Sequence, residues 1–318
     1  MTGTLVTSGQ ALLGLVLLYY GGEWLVRGAG ALAARLGVSP LAIGLTVVAF
    51  GTSAPELVVS LAAALGGASD IAVGNVVGSN IANIGLILGI GALIRSLEVH
   101  ANILRIDTPL MVVVSAVLLA LLADGTISRP EGVALALSLL AYIIFTLWQS
   151  RRETAATQAE FAAGTELDHG PVWHHLLLVA GGLAALVGGG KSLVLAAVTI
   201  ASALGVSEAV IGLTVVAVGT SLPELAASVI AALRGQGDIA LGNIIGSNIF
   251  NTLGIIGITA GVTPLPRGEV SWTVLGCMLG FALVLWPLAM TGRRLVRAEG
   301  ALLLAGYCAY IGYLAATA

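Results

Sequence analysis

The sequence predicts an all-α integral membrane protein of ten transmembrane helices arranged as two inverted five-helix repeats. Three observations predict it. Of 318 residues, 58% are apolar and 9% charged, with a mean hydropathy of +1.04, whereas soluble domains carry roughly a quarter charged residues. The chain also divides into ten apolar runs, and a run of roughly 20 residues is what crosses a bilayer. Finally, its two halves repeat one another at a fixed offset.

The runs fall at 8–26, 40–65, 71–94, 106–123, 131–149, 174–199, 208–232, 239–262, 271–290 and 299–316. They are longer than barrel strands and do not alternate apolar with polar, so helices are the backbone solution left in lipid. Orientation follows from the loops, because Lys and Arg accumulate on the cytoplasmic side. With ten spans, Arg27, Arg35, Arg95, Arg105, Arg151, Arg152, Arg234, Arg293, Arg294 and Arg297 share one side, and only Arg129 and Arg267 take the other. The expectation is a multi-pass protein of the cell (cytoplasmic) membrane with both termini outside. Residues 150–172 then form a cytoplasmic linker between repeats at 1–149 and 173–318. No Lys or Arg precedes the first run, a poor signal-peptide pattern, so that run is read as a retained helix.

Other classes fall away on composition. A net charge of −3 leaves no basic surplus for nucleic acid. Cys277 and Cys308 lie in apolar runs, which suits neither a disulfide framework nor a thiolate metal site. His169, His174 and His175 near the linker lack a Cys or a helical i, i+4 His pair, and read as solvated linker. Trp24, Trp148, Trp173, Tyr307 and Tyr313 near span ends read as an interfacial belt. The pattern is not that of an enzyme, requires no cofactor, and indicates no obligate protein partner beyond the lipid bilayer.

The repeat is explicit in GLTVVAFGTSAPEL from Gly44 and GLTVVAVGTSLPEL from Gly212, an offset of 168. That offset carries Glu56 onto Glu224, Asp70 onto Asp238, Asn75 onto Asn243, Ser79 onto Ser247 and Asn83 onto Asn251, and about 35 of 55 positions match between 36–90 and 204–258. Five spans per half is an odd number, so the second copy enters the membrane from the opposite side. Inverted repeats meeting at a midplane site are a recurring plan of secondary transporters.

Glu56 and Glu224 lie near the middles of spans two and seven, where an ionised carboxylate costs at least about 2.5–3.5 kcal/mol unless offset. No Lys or Arg lies at that depth in the repeat segments, so the partner is a cation from solution, or protons. Pro55 and Pro223 deprive the carbonyls of Gly51 and Gly219 of their helical donors and predict a kink at each GTSxPE. Those carbonyls, the hydroxyls of Thr52, Ser53, Thr220 and Ser221, and the two carboxylates make an all-oxygen cluster, which favours calcium or sodium over zinc, copper or iron. In spans three and eight, GNVVGSNIAN and GNIIGSNIFN place Asn75, Ser79, Asn83 and Asn80, with Asn243, Ser247 and Asn251, as a polar stripe on each helix. Gly74, Gly78, Gly242 and Gly246 read as close-packing positions. Asp70 and Asp238, just after short turns, read as helix N-caps. Two carboxylates neutralise one calcium ion, and several sodium ions could occupy the same oxygens in its absence.

At these residues the chain resembles the cation/calcium antiporter superfamily, in particular prokaryotic sodium/calcium exchangers. The resemblance implies ten helices, with a core of spans two, three, seven and eight against which spans one and six slide to alternate access. It implies that Glu56 and Glu224 are the calcium carboxylates. It implies that Ala49, Thr52, Ser53 and Ser79, with Ala217, Thr220, Ser221 and Ser247, hold sodium through carbonyls and hydroxyls, and that Asn83 is the amide of span three. The matching position in span eight is an aspartate in some members, including potassium-dependent ones; here it is Asn251, which implies one acid fewer and no potassium dependence.

The expected function is therefore calcium/sodium antiport by alternating access, with calcium/proton antiport the alternative. An intramembrane aspartyl protease using Asp70 and Asp238 would need both acids together, whereas the topology puts them on opposite faces. A cation channel needs no inverted repeat, and two buried glutamates would slow conduction.

Overall fold

The computed structural model describes residues 2–152, 171–203 and 217–317. Most of the 150–172 linker, with His169, and the 208–216 portion of the seventh expected span lie outside the described residues. In chain order the helices are α1 Thr2–Leu36, α2 Pro40–Thr52, α3 Ala54–Leu65, α4 Ile71–Ile94, α5 Ile103–Asp124, α6 Arg129–Arg151 and α7 Val172–Ala203. They continue as α8 Ala217–Thr220, α9 Leu222–Leu233, α10 Gly237–Val262, α11 Trp272–Met290 and α12 Arg297–Thr317. Among the described residues, seven helices are long and apolar enough to cross a membrane, or eight if the bent pair α2–α3 is one span.

The helix starts follow local chemistry. Ser39 caps α2, its hydroxyl accepting from the Ala42 amide at 3.3 Å ahead of Pro40, and Ser271 does the same for Val274 at the head of α11. Ser128 and Glu131 form a reciprocal capping box on α6. The expected aspartate cap of α10 is not made: Gln236 occupies the cap position, and Asp238, inside the first turn, faces His100 at 3.4 Å instead. The chain there enters the helix two residues earlier than the turn pattern suggests. In the first copy the cap position falls on Ala68 and the helix begins at Ser69, just ahead of the apolar span Ile71–Ile94, so Asp70 is not the cap residue either.

Burial ranks the spans. The apolar window of α10 is 100% buried and that of α4 72%, against 22% for α6, α7 and α12. α4 and α10 are thus the centre, as their polar stripes require. α2 lies directly on α10, where a Cβ at Gly246 would fall 2.6 Å from the Leu45 carbonyl. α3 packs on α4, α9 on α10, α12 on α4 and α6 on α10. Tyr307, expected in the interfacial belt, is instead buried against Gly85, because α12 approaches α4 closely there. Two short antiparallel pairs tie the connections, β1 Leu97–Glu98 with β4 Arg294–Leu295 and β2 Thr126–Ile127 with β3 Leu265–Pro266. The 168-residue offset carries Leu97 onto Leu265 and Thr126 onto Arg294, so each copy's first strand pairs with the other copy's second.

α1 and α7 form a separate bar. They run antiparallel with Gly14 against Gly189 and Gly21 against Gly182, where an added Cβ would meet the opposing backbone at 2.6–3.0 Å. Only glycine permits that approach. The apolar core is correspondingly double, one cluster around α4 and α10 and another among α1, α2, α7 and α9.

Candidate cation site

The two GTSxPE motifs build the site by breaking helices. α2 stops at Thr52, Ser53 leaves the helical region at φ −86°, ψ 3°, and α3 departs at 44° with Pro55 in its first turn. Ser221 repeats the break at φ −93°, ψ 8° between α8 and α9, ahead of Pro223. Glu56 and Glu224 consequently sit in the first turns of α3 and α9. There the helix dipole favours negative charge. Both are 1% exposed.

Each carboxylate meets a hydroxyl of the other motif. Ser53 Oγ donates to Glu224 Oε1 at 2.8 Å, and Ser221 Oγ reaches Glu56 Oε1 at 3.5 Å and Ser79 Oγ at 3.5 Å. Thr52 Oγ1 lies 3.0 Å from Asn243 Oδ1, to which its single proton can be donated, and 3.1 and 3.4 Å from the carbonyls of Val48 and Ala49, which compete for it. The Ala49 carbonyl also accepts the Ser53 amide at 3.0 Å. Thr220 closes α8 half-buried, and Ala217 opens that helix.

The stripes of α4 and α10 complete the centre and divide into two roles. Asn75 donates to Ser60 Oγ at 3.0 Å and to the Glu56 carbonyl at 3.4 Å; Asn243 does the same to Ser228 at 2.9 Å and Glu224 at 3.4 Å. These two amides brace the broken helices. Asn83 and Asn251 instead open π-helical turns, Asn83–Leu88 and Asn251–Ile256, which recur at the same offset. Such widened turns are frequent at functional sites. Asn83 Nδ2 donates to Asn248 Oδ1 at 3.0 Å, and Asn251 Nδ2 to Asn80 Oδ1 at 3.1 Å.

Five fully buried oxygens on these residues have no hydrogen-bond partner: Glu56 Oε2, Glu224 Oε2, Asn83 Oδ1, Asn251 Oδ1 and Ser247 Oγ. Four of them are two pairs related by the repeat. An unsatisfied buried acceptor costs about 1–3 kcal/mol, more when charged, and a hard cation is the species that an all-oxygen group of this kind satisfies. Among the described residues no group of three His, Cys, Asp or Glu side chains gathers for a metal ion. Neutral hydroxyls and amides must therefore supply most of any coordination. Sequence reasoning did not single out Asn248, Ser60 or Ser228; the repeat was the available signal for the serines, since Ser60 maps onto Ser228.

Broken helices, repeat-related contacts and a buried oxygen cluster define the class: a multi-pass membrane transporter of small cations. Comparison with known proteins agrees. The family model described as sodium/calcium exchanger protein matches residues 7–150 and 174–316. The sodium/calcium exchanger MaX1 of Methanosarcina acetivorans is 35% identical, over 94% of this chain and 96% of its own. The inner membrane protein YrbG of Escherichia coli strain K12 is 37% identical, over 98% and 97%. A solved structure of the sodium-calcium exchanger NCX_Mj, soaked with zero Na+ and Ca2+, superposes with a TM-score of 0.85 at 34% identity, covering 98% of this chain and 99% of that one. The chain belongs to the sodium/calcium exchanger family of ion antiporters.

Proposed function

We propose that this chain exchanges calcium for sodium across the cytoplasmic membrane by alternating access, with Glu56 and Glu224 as the shared carboxylates. The observation that carries this reading is the pair of buried glutamates, each held by a serine of the opposite motif and each keeping one oxygen without a hydrogen-bond partner. Their two charges balance one Ca2+. The same carboxylates, with Thr52, Ser53, Ser79 and the Ala49 carbonyl in one copy and Thr220, Ser221, Ser247 and the Ala217 carbonyl in the other, offer places for sodium, and Asn83 and Asn251 add neutral oxygens. Because the ions compete for common ligands, occupancy is exclusive. An empty site would carry two uncompensated carboxylates through the occluded state, at least about 2.5–3.5 kcal/mol each, which disfavours uncoupled switching.

The reading includes ten helices in two inverted repeats, 1–149 and 173–318, a cytoplasmic linker at 150–172 and both termini outside. The moving body is the α1–α7 bar. Support comes from its backbone-to-backbone seam, and from an asymmetry. α1 packs along α9, whereas the repeat-equivalent contact of α7 with α3 has no comparable extent among the described residues. Arg234, at the end of α9, also grips Glu23 of α1 through two nitrogens, Nε at 2.8 Å and Nη2 in closer contact. The repeat equivalents of Glu23 and Arg234 are Lys191 and Gly66, which cannot form that pair. In this reading the Glu23–Arg234 pair closes the arginine-rich side, which the reading takes as cytoplasmic.

The test is calcium uptake into proteoliposomes. An outward sodium gradient should drive uptake, and a proton gradient of equal size should not. Uptake driven by protons alone would transfer the assignment to calcium/proton antiport.

A further inference from the structure

Four asparagines meet between α4 and α10, and only two of them carry an oxygen without a hydrogen-bond partner. Asn80, Asn83, Asn248 and Asn251 are all at most 2% exposed. A primary amide has two N–H donors on one side and a carbonyl acceptor on the other, so its neighbours decide which end it presents. Asn248 spends its donors on Met111 Sδ at 3.4 Å and the Asn80 carbonyl at 3.5 Å. Its oxygen therefore faces Asn83, takes that amide's N–H, and leaves Asn83 Oδ1 unbonded. The second copy repeats the chain of reasoning. Asn80 spends its donors on Thr252 Oγ1 at 3.1 Å and Met278 Sδ at 3.7 Å, accepts from Asn251, and leaves Asn251 Oδ1 unbonded.

We propose that Met111 with Asn248, and Met278 and Thr252 with Asn80, are positioning residues that hold the amide oxygens of Asn83 and Asn251 toward the transported cation. The proposal rests on the reading of this cluster as the calcium/sodium site. A thioether accepts a hydrogen bond and has none to give, so it tolerates only the N–H₂ end of an amide. Were Asn248 to turn over, its N–H₂ would face Asn83, which would have to turn as well and aim N–H groups at the cation. Met111 and Met278 are 0% and 1% exposed, and both come from helices outside the polar stripes, α5 and α11, where nothing in the motif points to them.

The two relays are unequal. Thr252 gives Asn80 a second acceptor at 3.1 Å, and the matching residue in the first copy is Ile84, so Asn248 has only the longer carbonyl contact beside its sulfur. Met111 thus matters more than Met278.

The experiment compares Met111→Leu, Met278→Leu, Met111→Gln and Thr252→Val with wild type in reconstituted calcium/sodium exchange, with thermal unfolding of each purified protein as the control for folding. Met→Leu conserves volume and apolarity, so a packing role alone moves stability and leaves ion dependence where it was. Expected is a rise in the half-saturating calcium and sodium concentrations of about five-fold for Met111→Leu and about two-fold for Met278→Leu, with unchanged maximal rate, since a weak hydrogen bond is lost. Met111→Gln, which restores an acceptor, should recover most of the loss, and Thr252→Val should fall near Met111→Leu. Unchanged half-saturation in Met111→Leu and Thr252→Val, or a Gln variant no better than Leu, would overturn the relay. A wild-type protein that exchanges no calcium for sodium would remove the parent reading, and this is seen before any variant is made.

Discussion

The two halves of this molecule agree at the centre and disagree at the periphery. Around Glu56 and Glu224 nearly every contact has a counterpart 168 residues away: Asn75 with Ser60 and Asn243 with Ser228, Asn83 with Asn248 and Asn251 with Asn80. Further out the correspondence stops. Asp107 accepts the Tyr142 hydroxyl at 3.0 Å, but the equivalent of Asp107 is Leu275, although Tyr310 stands where the tyrosine is expected. Glu23 and Arg234 pair on one side only. On the proposed alternating-access reading, matched contacts belong to what both states share. Unmatched contacts belong to what makes one state, or one side, different.

The largest effect should come from the matched pair. Glu56→Gln and Glu224→Gln should each lower sodium-driven calcium uptake by at least about 100-fold, since each removes a charge from a desolvated cluster. A variant with one glutamine that kept near-wild-type flux would break the symmetry argument. Next come the serines that hold the acids. Ser53→Ala loses a 2.8 Å charge-assisted bond and should weaken ion affinity about ten-fold, whereas Ser221→Ala loses a 3.5 Å contact and should cost about two-fold. Ion titrations of the two variants check that order.

Smaller effects test the unmatched contacts. Glu23→Gln or Arg234→Gln should shift the equilibrium away from the closed arginine-rich side by about five-fold, as suits a partly exposed pair. Charge exchange, Glu23→Arg with Arg234→Glu, should restore it. The measurement is maleimide labelling from that side of a cysteine at Ala226, which Gly22 covers, with Cys277 and Cys308 changed to Ser. Smallest for transport, Tyr142→Phe should lower stability by about 1–2 kcal/mol in thermal unfolding, with little change in flux. Tyr310→Phe, lacking the aspartate, should lower it less.

How much of this was legible in the sequence divides along the same line. The broken helices could be read because proline at Pro55 and Pro223 removes a donor at a known place, and the acids because two charges in apolar runs demand a partner. The division of the asparagines could not. Asn75 and Asn83 lie on one stripe in the sequence, yet one braces a half-helix and the other presents an oxygen, a difference made by the π-turn at Asn83–Leu88 and by Met111 and Asn248 across the interface. Asp238 misled for a similar reason: its distance from the turn suits a cap, but His100 arrives from the α4–α5 connection, which local sequence does not display. Tyr307 has an interfacial composition signal and a buried location because Gly85 leaves room for it.

The central claim is that Glu56 and Glu224 jointly hold a calcium ion that sodium displaces. Equilibrium binding of radioactive calcium to the purified protein, with sodium as competitor, measures this directly. The account predicts saturable calcium binding that sodium displaces in wild type and that both Glu56→Gln and Glu224→Gln abolish. Calcium binding that survives either substitution, or that sodium leaves untouched, would contradict it.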